Sequence, residues 1–374
     1  MKASVLINKF EEIGIDTIAG VPDSTLRTFC DYLNEHKGNY KHYVTANEGA
    51  AVGLAIGTYL GSGKPACIYM QNSGEGNIIN PLASLANSEV YSIPMLFLIG
   101  WRGEPGVHDE PQHVFQGKIT CSLLELMKVP YDIIDSDTSD EELDKIIERA
   151  KKQLDDSLQY AIVVKKGTFV SECCYEWDNK YEMNREKALG EILRMAPRDA
   201  AIISTTGKIS RELYEQSDAC YGNHDNVFMT VGGMGHASMI AFGVAVNQPG
   251  KRVICIDGDG AMLMHMGSSA FIASNAPTNY VHIVINNLAH ESVGGMPTGC
   301  QAVNFSMVAQ SLGYKSCIRI TTYQELKSIG ALVESGEGPV FIEVMVSLGA
   351  RDDLGRPKES PKQNKESFSK FVMN

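Results

Sequence analysis

The chain has 374 residues, of which 44% are hydrophobic and 21% are charged, which is typical of a globular protein with two domains of ordinary size. Its formal net charge is −12 and no basic run stands out, so the sequence argues against a nucleic-acid-binding protein. Its longest apolar stretches have the length of strands, far below the ~20 residues of a membrane span. The N-terminus lacks a signal-peptide core, and nine cysteines without a C-x-x-C pair predict a reducing cytoplasm.

In the first half of the chain, short apolar runs alternate with amphipathic segments. The pattern predicts strands at residues 16–21, 40–45, 66–70 and 95–100, and helices at 4–15, up to about 35, at 49–60 and near 81–90. Polar residues follow the first two strands, in the turn Pro22-Asp23-Ser24 and at Asn47-Glu48. This alternation of strands and helices predicts an α/β fold with a parallel sheet.

Residues 101–118 form a polar stretch without any apolar period. It contains Arg102, His108 and His113 and follows a predicted strand. A loop of this length inside a compact domain is usually functional, although a solvated surface loop is the alternative. Helices at 119–127 and 140–155 and a strand at 160–165 follow. Periodicity is then lost, so we expect a first domain at 1–170, a linker at 171–184 and a second domain at 185–374.

The second half begins again with a helix at Arg185. It continues with a strand at 200–204, the turn Thr205-Thr206-Gly207-Lys208, a strand near 227–230 and a glycine-rich turn at 232–236. A helix of small residues runs from this turn to Val246. A buried strand at 253–256 then ends in Gly258-Asp259-Gly260, and a second at 281–285 ends in Asn286-Asn287.

The acidic turn and the asparagine pair carry the most specific signal in the chain. Neighbouring strands of a parallel sheet end at the same edge, where ligands bind. Asp259 and one asparagine would then offer hard oxygen ligands side by side, which Mg²⁺ prefers. Gly-Asp-Gly alone is as well explained by an ordinary turn, but its spacing to Asn-Asn is much more specific.

The two halves also resemble each other. Each has a helix of small residues, a Gly-Lys turn, a buried strand and a Gly-acid-Gly turn, at an offset near 185 residues. Gly74-Glu75-Gly76 lies over Gly258-Asp259-Gly260 in this overlay. We therefore expect two copies of one α/β fold.

Duplicated α/β domains with these motifs resemble the thiamine-diphosphate-dependent decarboxylases of 2-oxo acids. The resemblance covers nearly the whole chain and implies a pyrimidine-binding domain followed by a diphosphate-binding domain, without the central domain of some members. Within the family the chain is closely similar to members that act on phosphonopyruvate and also resembles those that act on sulfopyruvate. The motifs that carry this similarity are Gly20-Val21-Pro22-Asp23-Ser24, Asn47-Glu48-Gly49, residues 102–117 and Gly294-Gly295-Met296-Pro297-Thr298.

The resemblance implies two cofactors, thiamine diphosphate and Mg²⁺. It places Asp259 and Asn287 on the metal through their side chains and Ala289 through its carbonyl, with Asn286 as the other candidate of the pair. The residues expected at the cofactor are Glu48, Thr206, Lys208, Gly232, Met234, Gly258, Asp259, Gly260, Ala261, Asn287 and Ser292. Simpler interpretations exist for three of them: a surface lysine for Lys208, core packing for Met234, and a favourable helix-dipole interaction for Glu48.

An anionic head group on the substrate would require cations or many N–H donors. The residues expected at the substrate are Asp23, Ser24, Thr25, Arg102, His108 and His113. Gln112 and His113 are candidates for proton transfer. Asp23 is compatible with an anionic substrate only if it is protonated or hydrogen-bonded to a neighbouring donor.

The resemblance therefore implies non-oxidative decarboxylation of phosphonopyruvate to phosphonoacetaldehyde and CO2 through a thiamine ylide, a step of phosphonate (2-aminoethylphosphonate) biosynthesis. Decarboxylation of sulfopyruvate, an acetolactate-synthase-like carboligase and a non-catalytic scaffold are the alternatives. The family also implies at least a homodimer with the site at the subunit interface. The composition and the short apolar stretches predict no membrane or nucleic-acid partner. The tail from Leu348 is either disordered or a cover over the site that brings Arg351 or Arg356 near the anion, while Phe368 and Phe371 argue that it docks.

Overall fold

Two parallel six-stranded sheets form the framework of the chain in the computed structural model, which describes residues 1–36 and 38–374. Unit 1 contains Met1–Trp177 and Val293–Gly299, and unit 2 contains Asp178–Ser292 and Cys300–Asn374. The division at residues 177 and 178 lies inside the segment 171–184, where the sequence loses its periodicity. Residues 293–299 belong to unit 1, although they follow the asparagine pair along the chain.

Unit 1 is built on a sheet with the strand order β2-β1-β3-β4-β6-β5, in which all neighbours are parallel. Its strands are β1 (Thr17–Gly20), β2 (Lys41–Val44), β3 (Ala66–Gln71), β4 (Met95–Gly100), β5 (Tyr131–Ile134) and β6 (Gln159–Val164). Its helices are α1 (Ala3–Glu12), α2 (Arg27–Glu35), α3 (Glu48–Ser62), α4 (Glu75–Pro81), α5 (Pro111–Leu126) and α6 (Asp140–Asp155). A 3-10 turn at Asn72–Gly74 and a π-helical segment at Leu82–Ala86 flank α4.

Unit 2 repeats this topology. Its sheet has the strand order β11-β12-β10-β9-β7-β8. The strands are β7 (Ala201–Ser204), β8 (Val227–Met229), β9 (Val253–Gly258), β10 (Tyr280–Asn286), β11 (Ser316–Ile320) and β12 (Val340–Met345). The helices are α7 (Arg185–Met195), α8 (Lys208–Tyr221), α9 (Ala237–Asn247), α10 (Asp259–Met264), α11 (Gly267–Asn275), α12 (Phe305–Leu312), α13 (Tyr323–Ser328), α14 (Gly330–Ser335) and α15 (Pro361–Met373). Short elements lie at Ala289–His290 and at Glu291–Val293, where the first segment of unit 2 ends at Ser292, and a further short element, Met296–Pro297, belongs to unit 1.

Read from β8, the strand order of unit 2 is β8-β7-β9-β10-β12-β11, which is the order of unit 1 with every strand number raised by six. The predicted duplicated α/β fold is thus confirmed. Both faces of the first sheet are covered. Cys67 and Tyr69 of β3 contribute to one hydrophobic cluster, whereas Ile68 and Met70 contribute to another. Burial on both faces explains why the strands appear as continuous apolar runs rather than alternating patterns.

Three predictions of helices and strands in unit 1 were wrong. Helix α5 begins at Pro111 instead of residue 119, because proline suits the first helical turn, where its missing N–H costs nothing. The helix expected near 81–90 lies at 75–86, since Pro81 ends α4 instead of starting a helix. Strand β5 was not predicted, and it carries the polar residue Asp132 within a short, partly exposed run.

Strand register also corrects the overlay of the two acidic turns. Gly20, the last residue of β1, pairs with Tyr69 of β3, and Ser204, the last residue of β7, pairs with Ile256 of β9. Three residues beyond each partner, Asn72 occupies the position that Asp259 has in unit 2. The predicted equivalence of Glu75 and Asp259 is therefore wrong by three residues.

The C-terminal tail is ordered and docks on unit 2, so the disordered alternative was wrong. Helix α15 starts with a capping box between Ser360 and Gln363, and Phe368 is buried. The Asn364 side chain accepts a hydrogen bond from the N–H of Met229 at 3.0 Å and donates one to the carbonyl of Val227 at 2.8 Å. The tail thereby satisfies backbone groups of strand β8.

Across the residues that the structure describes, no helix combines the length and the apolar character needed to cross a bilayer.

The buried carboxyl group of Glu75, at the start of α4, provides a test of the packing in unit 1. Its side chain is 1% exposed, and burial raises the pKa of its carboxyl to about 8, although the Thr120 hydroxyl opposes the shift. The pKa is higher in the folded than in the unfolded chain, so the stability tied to the proton is complete below pH ~4.5 and is lost as the pH rises towards 8. We expect Glu75→Gln to remove this loss, at up to about 1.4 kcal/mol per pH unit.

The measurement is urea unfolding of both proteins at several pH values between 5 and 8. The advantage of Glu75→Gln over the parent protein should grow with pH. The exposed Glu89, changed to Gln, is the control and should give a constant offset. A constant offset for Glu75→Gln as well would contradict the buried, protonated carboxyl.

Candidate active site

The acidic turn of unit 2 lies at the carboxyl edge of the sheet, as its position after a buried strand predicted. Asp259 is the first residue of α10, directly after β9, and is only 5% exposed. Gly258 pairs with Ile285 on the neighbouring strand, so the chain leaves both strands side by side at Asp259 and Asn286. The thiol of Cys300 lies 3.5 Å from Asp259 Oδ2 and 3.9 Å from Asn286 Oδ1.

The two asparagines have different surroundings. Asn286 is completely buried and donates a hydrogen bond to Glu343 Oε1 at 2.8 Å, which ties it to the core next to β12. Asn287 donates to Glu291 Oε2 at 2.7 Å, and its Oδ1 accepts from the N–H of Ala289 at 3.1 Å. Leu288, between Asn287 and Ala289, has a φ of 62°, in the left-handed region. Asn286 is therefore bound in the core, whereas Asn287 is bound to Glu291.

The turn after β7 shows a close approach that requires glycine. Gly207 has a φ of 91°, and a Cβ there would lie 2.9 Å from the Ser292 hydroxyl. Helix α8 begins at the next residue, Lys208, so the turn presents the positive end of a 14-residue helix. The ammonium group of Lys208 is 2.9 Å from Glu291 Oε1, so Lys208 is an ion-pair partner rather than a free surface lysine.

Glu291 was not predicted as a site residue, yet it contacts two of them, Asn287 and Lys208. Burial favours a higher pKa for its carboxyl, but the charges and hydrogen bonds of Arg185 and Lys208 prevail and lower the pKa, so the group is ionised at neutral pH. Arg185 also pairs with the buried Glu212, at 2.7 Å between Nε and Oε2. No local pattern reveals this network, because its members are far apart along the chain.

A second close approach surrounds the glycine after Asp259. A Cβ on Gly260 would lie 2.9 Å from Met234 Cε and 3.0 Å from His290 Cε1. Burial lowers the pKa of His290 to about 4, so its imidazole is neutral. Gly232 and Met234 lie in the loop between β8 and α9, and Met234 packs against the acidic turn.

The carboxyl edge of unit 1 carries a fully buried carboxyl group, Asp23. Its Oδ2 accepts hydrogen bonds from the N–H groups of Thr25 at 2.7 Å and Leu26 at 3.2 Å, and its Oδ1 accepts from Gln71 Nε2 at 2.7 Å. Burial raises the pKa of Asp23 and outweighs these hydrogen bonds and the charge of Arg102. Gln71 was not predicted, although its position as the last residue of β3 would have been a usable signal.

Arg102 is held in place by a carboxylate that the sequence did not single out. Its Nε and Nη2 atoms lie 2.8 and 2.5 Å from the two oxygens of Asp109, and its Nη1 donates to the Ser24 hydroxyl at 2.9 Å. Burial would raise the pKa of Asp109, but the hydrogen bonds from Arg102 and Gly103 and the charge of Arg102 lower it to about 2. Arg102 thus has a fixed direction and a neutralised charge.

The two predicted histidines differ in exposure. His113 lies in the first turn of α5 and is partly buried, and burial together with the Arg102 charge lowers its pKa. Its buried Nδ1 lacks a hydrogen-bond partner in the part of the chain that the structure describes. Gln112 is partly exposed beside it, whereas His108 is exposed in the preceding loop.

Glu48 begins helix α3 and is 5% exposed. Asn47 caps this helix by accepting a hydrogen bond from the N–H of Ala50 at 2.8 Å. The Glu48 carboxylate accepts a hydrogen bond from Asn77 Nδ2 at 2.6 Å, and a Cβ on Gly74 would lie 2.5 Å from Oε1. The carboxylate is thus enclosed by Asn77 and Gly74, neither of which was predicted as its partner.

A separate set of potential metal ligands lies among the strands of unit 2. The ligand atoms of Cys255, Asp257 and His282 are within 4.8 Å of one another, and all three residues are buried. His282 Nε2 is 3.5 Å from Asp257 Oδ2, so these two groups already face each other. This mixed set differs from the predicted oxygen ligands, Asp259 and Asn287, and contains none of the predicted site residues.

The residues of unit 2 fit a magnesium-bound diphosphate. Asp259 and one asparagine would offer hard oxygen ligands, and the glycine turns at Gly207 and Gly260 leave space that a Cβ would fill. Helix α8 and Lys208 supply N–H donors and a positive charge beside the Gly207 turn. The arrangement can therefore hold an anionic cofactor, while unit 1 supplies the buried carboxyl groups Glu48 and Asp23.

Comparison with known proteins gives consistent matches for both units. Residues 2–124 match the N-terminal TPP binding domain of thiamine pyrophosphate enzymes, and residues 219–344 match their C-terminal TPP binding domain. The chain is 34% identical to the phosphonopyruvate decarboxylase of Streptomyces viridochromogenes, over 99% of this chain and 94% of the relative. It is 33% identical to the phosphonopyruvate decarboxylase of Streptomyces hygroscopicus, over 100% of this chain and 94% of the relative.

A relative with a different named substrate matches over a similar length. The chain is 27% identical to the sulfopyruvate decarboxylase of Methanosarcina acetivorans, over 97% of this chain and 96% of the relative. The identities to the two Streptomyces decarboxylases are higher, and they extend over both units. The chain belongs to the phosphonopyruvate decarboxylase family of thiamine pyrophosphate-dependent enzymes.

Proposed function

We propose that the protein decarboxylates phosphonopyruvate to phosphonoacetaldehyde and CO2, as a step of phosphonate biosynthesis. The observation that carries this proposal is the 34% identity to a phosphonopyruvate decarboxylase along 94% of that relative. When bound, thiamine pyrophosphate supplies an electron sink for the electrons that the departing carboxylate leaves behind. The protein binds and orients the cofactor and the substrate, and it supplies the groups that donate and accept protons.

In unit 2, Asp259, Asn287 and the carbonyl of Ala289 would hold Mg²⁺. We favour Asn287 over Asn286 because the latter is fully buried against Glu343. The residues proposed for the remainder of the cofactor are Thr206, Lys208, Gly258, Gly260, Ala261 and Ser292 at the diphosphate, with Gly232 and Met234 at the aminopyrimidine. The close approaches at Gly207 and Gly260 support this assignment.

Glu48 would share a proton with the pyrimidine ring of the cofactor. Two features support this role: the carboxylate is buried, and the Asn77 amide fixes one of its oxygens at 2.6 Å. A group of this kind exchanges a proton without rearrangement, which favours general acid–base catalysis. His113 and Gln112, at the start of α5, are the candidates for managing protons on the substrate side.

The substrate head group would bind near Arg102, Ser24, Thr25 and His113. Arg102 keeps its direction because Asp109 binds it in a bidentate manner, as planar guanidinium groups prefer. Asp23 does not oppose an anion here, since it is buried with a raised pKa and hydrogen-bonded to Gln71 and Thr25. The exposed His108 is the least supported member of the predicted set.

Sulfopyruvate is the second candidate substrate. The full-length similarity to a sulfopyruvate decarboxylase supports it. Asp109 neutralises Arg102, and this balance suits a singly charged sulfonate better than a dianionic phosphonate. The lower identity to this relative, 27% against 34%, leaves phosphonopyruvate as the leading proposal.

We expect the purified protein with Mg²⁺ and thiamine pyrophosphate to convert phosphonopyruvate to phosphonoacetaldehyde, which phosphorus NMR detects directly. Glu48→Gln should lower kcat by about 100-fold or more, since a positioned acid–base group contributes on that scale. Glu75→Gln, another buried carboxyl of unit 1, is the control and should stay within about twofold of the parent rate. Turnover of sulfopyruvate alone, in a parallel assay, would transfer the proposal to the second substrate.

We expect Arg102→Gln to raise the KM for phosphonopyruvate by roughly 10–100-fold, because a charge-assisted hydrogen bond contributes ~1.5–3 kcal/mol. The matched control is Arg149→Gln. Arg149 pairs with Asp132 at 2.8 Å but is half exposed and lies outside the proposed site. An unchanged KM for Arg102→Gln in steady-state assays would remove Arg102 from the head-group site.

We also propose that the protein acts as a homodimer, or a larger assembly, with each site shared between subunits. The roles proposed above assign Glu48, which lies in unit 1, and Asp259, which lies in unit 2, to one cofactor. Large apolar side chains are exposed in both units, including Leu60 at 73%, Phe115 at 69% and Phe271 at 50%. Exposed apolar residues of this size are common where subunits pack.

Mixing two inactive variants tests the shared site. A dimer of Glu48→Gln with Asp259→Ala has one site in which both units are unaltered, if unit 1 of one subunit works with unit 2 of the other. Co-expression should then restore roughly a quarter of the parent activity, since half of randomly assorted dimers are mixed and each has one intact site. Sites contained within single chains would give no recovery, and sedimentation velocity reports the assembly size independently.

A further inference from the structure

We propose that Glu291 is a positioning residue for the magnesium and diphosphate site, through its hold on Asn287 and Lys208. The inference rests on the proposed cofactor-binding role of these two residues and assigns a function to a carboxylate outside the set of residues proposed to contact the cofactor. Its basis is a convergence of contacts on one side chain in unit 2.

The Glu291 carboxylate contacts four groups from different parts of the chain. Its Oε2 accepts from Asn287 Nδ2 at 2.7 Å and is paired with Arg185 Nη1. Its Oε1 accepts from Lys208 Nζ at 2.9 Å and from the N–H of Gly349 at 3.2 Å. The side chain is only 10% exposed. Its contacts with Asn287 and Lys208 link the proposed metal ligand to the proposed diphosphate-binding cation.

For Asn287, this contact determines which end of the amide is available. A carboxylate can only accept hydrogen bonds, so the amide nitrogen must face Glu291. The N–H of Ala289, which donates to Asn287 Oδ1 at 3.1 Å, demands the same orientation. The amide oxygen has a second lone pair for a cation, whereas a flipped amide would present its nitrogen. Glu291 therefore preserves the orientation that metal binding requires.

For Lys208, the same carboxylate fixes the position of a flexible side chain. The ammonium group has three N–H donors, and its hydrogen bond to Glu291 uses one of them. Lys208 is also the first residue of α8, directly after the Gly207 turn that touches Ser292. Glu291 thus places a positive charge beside the helix end without using all of its donors.

Glu291 is itself anchored by a buried arginine. Arg185, 3% exposed, donates to Glu291 and to both oxygens of Glu212, at 2.7 and 2.8 Å. The two carboxylates and the two cations balance in charge. Glu212 shares the arginine and the burial of Glu291 but contacts neither Asn287 nor Lys208 in the hydrogen bonds of the described residues. It therefore offers a matched control for structural effects.

The test is isothermal titration of Mg²⁺ into the purified protein at saturating thiamine pyrophosphate. We expect Glu291→Ala to raise the Kd for Mg²⁺ by about 10–100-fold, the usual effect of removing a residue that orients a metal ligand. Glu291→Gln should recover most of the affinity, within about threefold of the parent protein, because its amide oxygen still accepts from Asn287. Glu212→Gln should lower the thermal midpoint and leave the Kd within about twofold.

Two results would overturn the inference. One is a folded Glu291→Ala protein with the parent affinity for Mg²⁺, and the other is an equal loss in Glu212→Gln, which would reduce Glu291 to a member of a structural ion network. If Glu291→Ala does not fold, Glu291→Asp replaces it, because it keeps the charge and withdraws the carboxylate by one methylene. A parent protein that binds no Mg²⁺ with thiamine pyrophosphate would instead reject the proposed metal site.

Discussion

The parallel pairing of the strands is the constraint on which the proposed site depends. All neighbouring strands in each sheet run in the same direction, so every loop that follows a strand lies at one edge. For this reason Asp23, Gln71 and Arg102 lie close together although they are up to 79 positions apart along the chain. Gln71 donates a hydrogen bond to Asp23, and Arg102 donates one to the adjacent Ser24. Asp259 and Asn286 are adjacent for the same reason. An antiparallel pair would have sent the two ends to opposite edges.

Close packing around glycine is the second requirement for such a site. At Gly74, Gly100 and Gly207, a Cβ would lie within 3 Å of a carboxylate or hydroxyl oxygen of a proposed site residue. Polar side chains can therefore approach the backbone, where they are shielded from water yet still hydrogen-bonded. This arrangement also explains the altered acidity of the site, since burial raises the pKa of Asp23 while hydrogen bonds from Arg102 and Gly103 lower that of Asp109.

The sequence predicted the fold well because burial on both sheet faces produces continuous apolar runs that are easy to recognise. Helix α6, for example, has the predicted bounds 140–155, since Ser139 and the acidic residues after it mark its start. The predicted residues Asp259, Glu48 and Arg102 do lie at the carboxyl edges. The sequence did not reveal Asn77 as the partner of Glu48, Asp109 as that of Arg102 or Glu291 as that of Asn287, because a side-chain hydrogen bond depends on tertiary distance and leaves no periodic pattern. The start of α5 was missed for a similar reason, as its apolar face is weak.

Asn364 on the C-terminal helix has a consequence for solubility. Strand β8 ends the sheet of unit 2, and an uncovered edge strand offers unpaired N–H and C=O groups to other chains. The Asn364 amide binds one donor and one acceptor of this strand, as a neighbouring backbone would. A single side chain of the last helix thus occupies backbone groups that a strand of another chain would otherwise bind. This contact protects the edge of the sheet against pairing between chains, which is a route to aggregation.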